Sequence, residues 1–230
     1  MRILCLTHAP FEGPAAIADW ATRHNHSLSI VESWRTAIPA PEPFQALVIM
    51  GGPMSVNDFT KLPWLSDELD WIASWLEHDR GPALGVCLGS QMLAHVIGGS
   101  VTRSPYTEIG WWPVQRTAEA QNARYFCDWP ESVDIFHWHG EMAELPPDAR
   151  VTLRSQGCPV QAWEWGIRTV GLQCHPEMTE ASIAEIGTEC AHELVPGSYI
   201  QTDLAAMSDA PRITTAHRLL DRLLDRLMVA

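Results

Sequence analysis

The chain has 230 residues, 46% of them hydrophobic, and a formal net charge of −13. That length and apolar content suit one domain, 1–230, with a sizeable core. The acidic balance argues against nucleic acid or an anionic membrane surface as a partner, because both are polyanions. No basic leader precedes a long apolar run near residue 1, so a signal peptide is not expected. No stretch approaches the ~20 apolar residues of a membrane span. The six cysteines, Cys5, Cys87, Cys127, Cys158, Cys174 and Cys190, are scattered without C-x-x-C spacing. A reduced, cytoplasmic protein is expected.

Residues 2–7 read as a short apolar strand, followed by a Pro/Gly-containing loop. Residues 14–24 read as a helix with Ile17, Trp20 and Ala21 on one face, and 27–32 as a second strand. After a proline-rich connection comes the apolar strand 46–50, which ends in Gly51-Gly52-Pro53. Residues 62–78 carry Leu65, Leu69, Ile72, Trp75 and Leu76 at helical spacing, and Gly81-Pro82 terminates that helix. Residues 82–86 form the next strand, and 91–97 the next helix. This order, with continuously apolar strands, predicts an α/β, doubly wound, mainly parallel sheet of flavodoxin-like architecture, covered on both faces.

From residue 100 the period changes. Residues 100–104, 110–117, 134–138, 151–155 and 160–164 read as short strands between turns, which predicts antiparallel additions at one sheet edge. Residues 169–174 read as a buried strand and 179–194 as a helix, with 196–211 irregular. Residues 213–228 form an amphipathic helix, with Leu219, Leu220, Leu223, Leu224 and Leu227 on one stripe, expected to dock on the domain.

The chemistry gathers at two places. Gly85-Val86-Cys87-Leu88-Gly89-Ser90-Gln91 runs from strand through cysteine into helix, the logic of a nucleophile elbow with cysteine for serine. A β-carbon at Gly85 or Gly89 would crowd the bend, and the helix start favours negative charge on the sulfur. His175-Pro176-Glu177 follows a buried strand. Residues i and i+2 of a strand share a side, so Glu177 can orient His175 as the base for Cys87.

G-V-C-L-G-S-Q followed by Q-C-H-P-E, with the Gly-Gly-Pro loop, resembles the class I (triad) glutamine amidotransferases over roughly residues 1–195. Residues 137–141 and 157–162 resemble the stand-alone, GMP-synthase-like branch. The resemblance implies hydrolysis of a γ-glutamyl amide, glutamine to glutamate and ammonia, through a γ-glutamyl thioester on Cys87. It implies backbone N–H groups of Gly52 and Leu88 as the oxyanion hole, and Gln91 as a substrate contact. It makes residues 138–141, with Trp138 and His139, a loop flanking the substrate cleft; many relatives have Asp where Glu141 stands. A separate ammonia-accepting synthase is the implied partner. A γ-glutamyl peptidase or conjugate hydrolase with the same triad fits the same residues. So does a non-catalytic binding or regulatory protein on this fold, although the intact triad counts against it.

His137 and His139 share one side of a strand, but a metal site needs further ligands, and neither Cys127 nor Asp128 completes a known spacing. Gly98-Gly99 stops a helix and cradles no phosphate. No cofactor and no metal are expected.

Overall fold

The computed structural model describes residues 1–229. Its strands are β1 (Arg2–Thr7), β2 (Ser27–Glu32), β3 (Ala46–Ile49), β4 (Ala83–Val86), β5 (Ser100–Arg116), β6 (Ser132–Glu144), β7 (Arg150–Arg154), β8 (Ala162–Trp165) and β9 (Thr169–Leu172). Its helices are α1 (Ala16–Arg23), α2 (Pro63–Glu77), α3 (Leu88–Val96), α4 (Glu180–Glu189), α5 (Leu204–Met207) and α6 (Ala210–Val229). The strands form one sheet in the order β2-β1-β3-β4-β9-β8-β7-β5-β6. From β2 to β9 every neighbouring pair is parallel. From β9 to β6 every pair is antiparallel.

The parallel half has the reason the sequence suggested. β3 and β4 are buried along their whole length, as strands covered by helices on both faces must be. Their carboxyl ends, with those of β1 and β9, lie along one edge of the sheet, where doubly wound folds place their sites. None of the helices of the described residues is long and apolar enough to cross a membrane.

Several boundaries differ from the sequence reading: β6 runs longer than 134–138, α5 and the start of α6 fall within 196–211, and two further differences concern β5 and α3. The strands expected at 100–104 and 110–117 are one strand, β5, paired with β6 along its length. Its register shifts between Arg103 and Glu108, where Pro105 has no N–H for the ladder. Gly110 takes a φ of 101°. The strand therefore bends where the sequence suggests a break. The helix expected at 91–97 begins three residues earlier, directly after Cys87, because a single residue absorbs the whole turn out of β4.

Helix α6 lies against α1 and β6. Its leucine stripe, Leu219 to Leu227, is buried. Polar contacts fix its register: Trp20 Nε1 donates to Asp225 Oδ1 at 2.8 Å, and Arg23 pairs with Asp221 at 2.7 Å. His217 Nε2 donates to the Met178 carbonyl at 2.8 Å, which ties the helix to the turn carrying Glu177. Leu220→Ala is expected to lower the unfolding free energy by about 2–5 kcal/mol. Urea denaturation measures this, and a loss below ~0.5 kcal/mol would mean that the helix stands outside the cooperative core.

Candidate active site

Cys87 is the single residue between β4 and α3, with φ 51° and ψ −109°. A non-glycine residue in that conformation costs on the order of 1–3 kcal/mol and persists only where its surroundings enforce it. Here Cys87 N donates to the Leu172 carbonyl at 2.7 Å, and Gly89 N to the Met50 carbonyl at 3.2 Å. A β-carbon at Gly85 would run into the backbone of Gly89, and one at Gly89 into the Ile49 carbonyl. Both glycines thus allow α3 to lie close on the strands, as the elbow reading requires.

The sulfur sits among polar partners. Gln173 Nε2 donates to Cys87 Sγ at 3.5 Å, and Gln91 Nε2 donates to Gln173 Oε1 at 3.1 Å. Gln91, expected to touch substrate, lines the cavity and also holds this second glutamine. The thiol points to the Trp138 carbonyl at 3.9 Å. Leu88 is the first residue of α3, so its N–H has no acceptor within the helix.

His175 and Glu177 meet, by a different route from strand alternation. β9 ends at Leu172, and His175 lies beyond it in an isolated bridge, its N donating to the Phe136 carbonyl at 2.8 Å. The turn through Pro176 then brings Glu177 Oε1 to 2.7 Å from His175 Nδ1. Both side chains are buried. His175 Nε2 and Glu177 Oε2 have no hydrogen-bond partner among the described residues. Burial alone would strip the proton from His175. The Glu177 charge, the neighbouring Cys87 and the bond to Glu177 outweigh it and raise the imidazole well above its ordinary value. Cys174 faces the core, and burial pushes its thiol far up.

A second buried histidine, invisible to the sequence reading, organises the Gly51-Gly52 loop. His8, just past β1, has Nδ1 3.0 Å from the Gly51 carbonyl and Nε2 3.0 Å from Glu68 Oε1. A carbonyl and a carboxylate both accept, so both ring nitrogens carry protons. Burial pulls the His8 proton affinity down; the charge and hydrogen bond of Glu68, with the Gly51 carbonyl, reverse this and raise it. The peptide bonds are trans, so the Gly51 carbonyl and the Gly52 N–H of the same unit point opposite ways. Holding the carbonyl on His8 therefore leaves the Gly52 N–H on the far side, and Gly52 lines the cavity with Cys87 and Leu88.

That cavity has a volume of about 310 Å³. Glu12, Asp58, Glu141 and Glu193 contribute to its wall, and among the described residues no lysine or arginine does. Burial pushes the Glu12 carboxyl up to about 7, against the pull of His175 and His8, with Glu177 and Glu193 adding to the rise. Trp138, His139 and Glu141 also line this cavity. Trp138 Nε1 donates to Glu193 Oε2 at 3.3 Å. Sequence reasoning missed Glu12, His8, Glu68 and Gln173. A polar residue just past a parallel strand was the available signal for His8. For Glu68 it was a carboxylate on the apolar face of α2.

The class I glutamine amidotransferase family profile matches residues 18–185. The chain belongs to that family. It is 28% identical to the glutamine amidotransferase-like protein YfeJ of Salmonella typhimurium over 198 residues, covering 84% of this chain and 83% of that one. It is 32% identical to GMP synthase of Thermomicrobium roseum over 145 residues, 62% of this chain but 25% of that enzyme. Among solved structures, a glutamine amidotransferase from Thermotoga maritima superposes with a TM-score of 0.90 at 28% identity, covering 100% of this chain and 99% of that one. The protein SMU.1228c superposes with a TM-score of 0.91 at 29% identity, covering 99% of each chain.

His8 binds its proton more tightly in the folded chain. The stabilisation from its pair with Glu68 is therefore full below its ordinary value of 6.5 and is lost as pH climbs through the raised value. Glu68→Gln is expected to cost about 1–3 kcal/mol below that pH, with the gap to wild type closing as pH rises. Urea denaturation across the pH range checks this, and a gap independent of pH would show that His8 is not the titrating partner.

Proposed function

We propose that the protein hydrolyses the side-chain amide of a γ-glutamyl compound, in the simplest case glutamine to glutamate and ammonia. The observation that carries this reading is the buried His175–Glu177 pair at 2.7 Å, with an unpartnered Nε2 beside Cys87. The Cys87 thiol passes its proton to His175, and the thiolate Sγ attacks the amide carbonyl carbon. The N–H groups of Gly52 and Leu88 receive the oxyanion, each worth on the order of 3 kcal/mol. His175 gives its proton to the nitrogen as the C–N bond breaks, and ammonia leaves a γ-glutamyl thioester. His175 then takes a proton from water, whose oxygen attacks the thioester and releases glutamate and the sulfur. Glu177 keeps the imidazole in the required tautomer and supports its charge. Gln173 and the start of α3 stabilise negative charge on the sulfur.

The related GMP synthases are named as glutamine-hydrolysing enzymes. A synthase that binds this chain is the corresponding acceptor here, and water is the acceptor in its absence. A second reading is a γ-glutamyl conjugate hydrolase, favoured by the cavity wall. Four carboxylates, with no lysine or arginine among the described residues of the wall, disfavour an anionic leaving group and suit a neutral or cationic amine.

Acivicin-type glutamine mimics are expected to alkylate Cys87, with peptide mapping as the readout; label on Cys174 or Cys158 with Cys87 untouched would refute the nucleophile. His175→Ala is expected to lower kcat/KM by about 10³-fold or more, and Glu177→Gln by a smaller factor, because the base remains. If a partner gates the site, glutamine turnover is slow alone and rises when the partner is added. If the substrate is a conjugate, the isolated protein cleaves it rapidly, and changes at Trp138 or His139 shift the preference. Unassisted glutamine hydrolysis at a kcat/KM of about 10⁴ M⁻¹s⁻¹ or more would exclude both versions.

The acidic wall gives its own test. Glu12 loses its proton as pH rises through about 7. The preference for a γ-glutamyl amide with a cationic leaving amine, over its uncharged isostere, is expected to grow across that value. Glu12→Gln should abolish the growth. A preference that is flat with pH in wild type would refute a role for the Glu12 charge.

A further inference from the structure

On β5 and β6, three buried side chains converge outside the Cys87–His175–Glu177 constellation. Glu108 is the cross-strand partner of His139, and His137 lies two residues before it, on the same side of β6. Glu108 Oε2 is 3.2 Å from His139 Nε2 and 3.8 Å from His137 Nδ1. All three side chains are buried to within 1% of full.

The outer nitrogens decide what the inner ones can do. His137 Nε2 lies 3.3 Å from the Trp112 carbonyl, and His139 Nδ1 lies 3.1 Å from the Glu141 carbonyl. A carbonyl only accepts, so each outer nitrogen carries the ring proton. A neutral ring then presents a bare inner nitrogen. For His137, whose side chain is fully buried, the neutral ring is the state that burial favours. His137 Nδ1 has no hydrogen-bond partner among the described residues, and it faces a carboxylate oxygen that also offers only lone pairs. One amide donor reaches this cluster, Gln161 Nε2, at 2.6 Å from Glu108 Oε2 and 3.3 Å from His139 Nε2, and it leaves His137 Nδ1 unmet; a cation would engage the lone pairs of all three groups.

We propose that Glu108, His137 and His139 bind one divalent transition-metal ion, zinc by preference, which clamps the wall of the substrate cavity. Metal-ligating histidines hold the other ring N–H on a carbonyl or carboxylate, and both rings do so here. Donors at ~2.0–2.2 Å around a tetrahedral zinc ion are ~3.3–3.5 Å from one another. The three donor atoms already lie within 4.8 Å of each other, so small shifts complete the geometry. Gln161 offers a fourth donor. Its Nε2 is 2.6 Å from Glu108 Oε2, while its Oε1 has no partner. Turning the amide exchanges the two atoms and presents oxygen to the ion. Two imidazoles with oxygen donors and no thiolate suit zinc rather than magnesium, calcium or copper(I). Complete burial leaves no open position, so the role is structural. His137 and His139 bracket Trp138, whose carbonyl meets the Cys87 thiol, so the ion would hold that wall in place. The sequence could not supply the third ligand, because Glu108 joins the histidines only through the β5–β6 register.

The test uses the full chain with Cys87→Ser, which removes the thiol that lines the cavity as a competing ligand. Protein stripped with a chelator is titrated with zinc and with cobalt(II), followed by calorimetry, elemental analysis and visible absorption. The expected result is one equivalent bound after gel filtration and a raised Tm. The cobalt complex should show ligand-field bands without a sulfur charge-transfer band, and paramagnetically shifted ring protons of His137 and His139. Glu108→Gln and His137→Gln are expected to lower zinc affinity at least ~100-fold. The shifted histidine resonances decide the matter even if those variants fail to fold. Stripped Cys87→Ser protein that takes up neither ion, or that binds one with no shift at His137 and His139, overturns the proposal; a proton shared between His139 and Glu108 then holds the cluster.

Discussion

The left-handed backbone at Cys87 is the constraint on which the rest of the site depends. It turns the chain from β4 into α3 within one residue, so the sulfur stands at the sheet edge where the loops after β1, β3 and β9 also arrive. Nothing local favours the bend, whose cost is on the order of 1–3 kcal/mol. It is enforced from outside by hydrogen bonds to Leu172 and Met50, each worth about 1 kcal/mol net. Two glycines let helix and strand approach closely enough for those bonds to form. The position of Cys87 is thus a property of three strands at once, β3, β4 and β9.

Around that point the protein keeps two histidines charged where burial would make them neutral. Each is paired with one carboxylate: His175 with Glu177, and His8 with Glu68. The same physics serves two purposes. At His175 the raised proton affinity leaves a proton available beside the sulfur. At His8 the doubly protonated ring grips a carbonyl and thereby orients the peptide whose N–H faces the other way. Removing either carboxylate would expose its histidine to the full effect of burial, which favours the neutral ring. Glu12 lies within reach of both histidines, so its ionisation is coupled to theirs.

What the sequence disclosed follows from how local each feature is. The continuously apolar strands β1, β3 and β4, the helix α2 and the leucine stripe of α6 are written in contiguous residues. Cys87, His175 and Glu177 were legible because glycine spacing and an i, i+2 pair are also local patterns. The contact between His175 and Glu177 was expected on a strand and occurs in a turn, since a short spacing brings them together either way. The start of α3 was misread because Gly89 and Ser90 look like turn residues when they are in fact required by close packing and by the bond from Trp163 Nε1 to Ser90 Oγ. His8 with Glu68, and Glu108 with His139, are separated by 60 and 31 positions in sequence. Only helix docking and strand register bring them together.

The two halves of the sheet divide the work and are mechanically joined. The parallel half supplies the bend, the Gly51-Gly52 loop and the strand leading to His175. The antiparallel half supplies Trp138, His139 and Glu141, which shape the cavity wall. Two contacts bridge them: the His175 N–H bonds the Phe136 carbonyl, and the Cys87 thiol points at the Trp138 carbonyl. Both acceptors are backbone atoms of β6, two residues apart. A displacement of β6 along or away from the sheet therefore moves a wall of the cavity, the seat of the imidazole and the partner of the sulfur together. Whatever stiffens or shifts β6, whether the Glu108 cluster on its own side or a protein bound at that edge, acts on the cavity wall and on the Cys87 and His175 side chains through one strand.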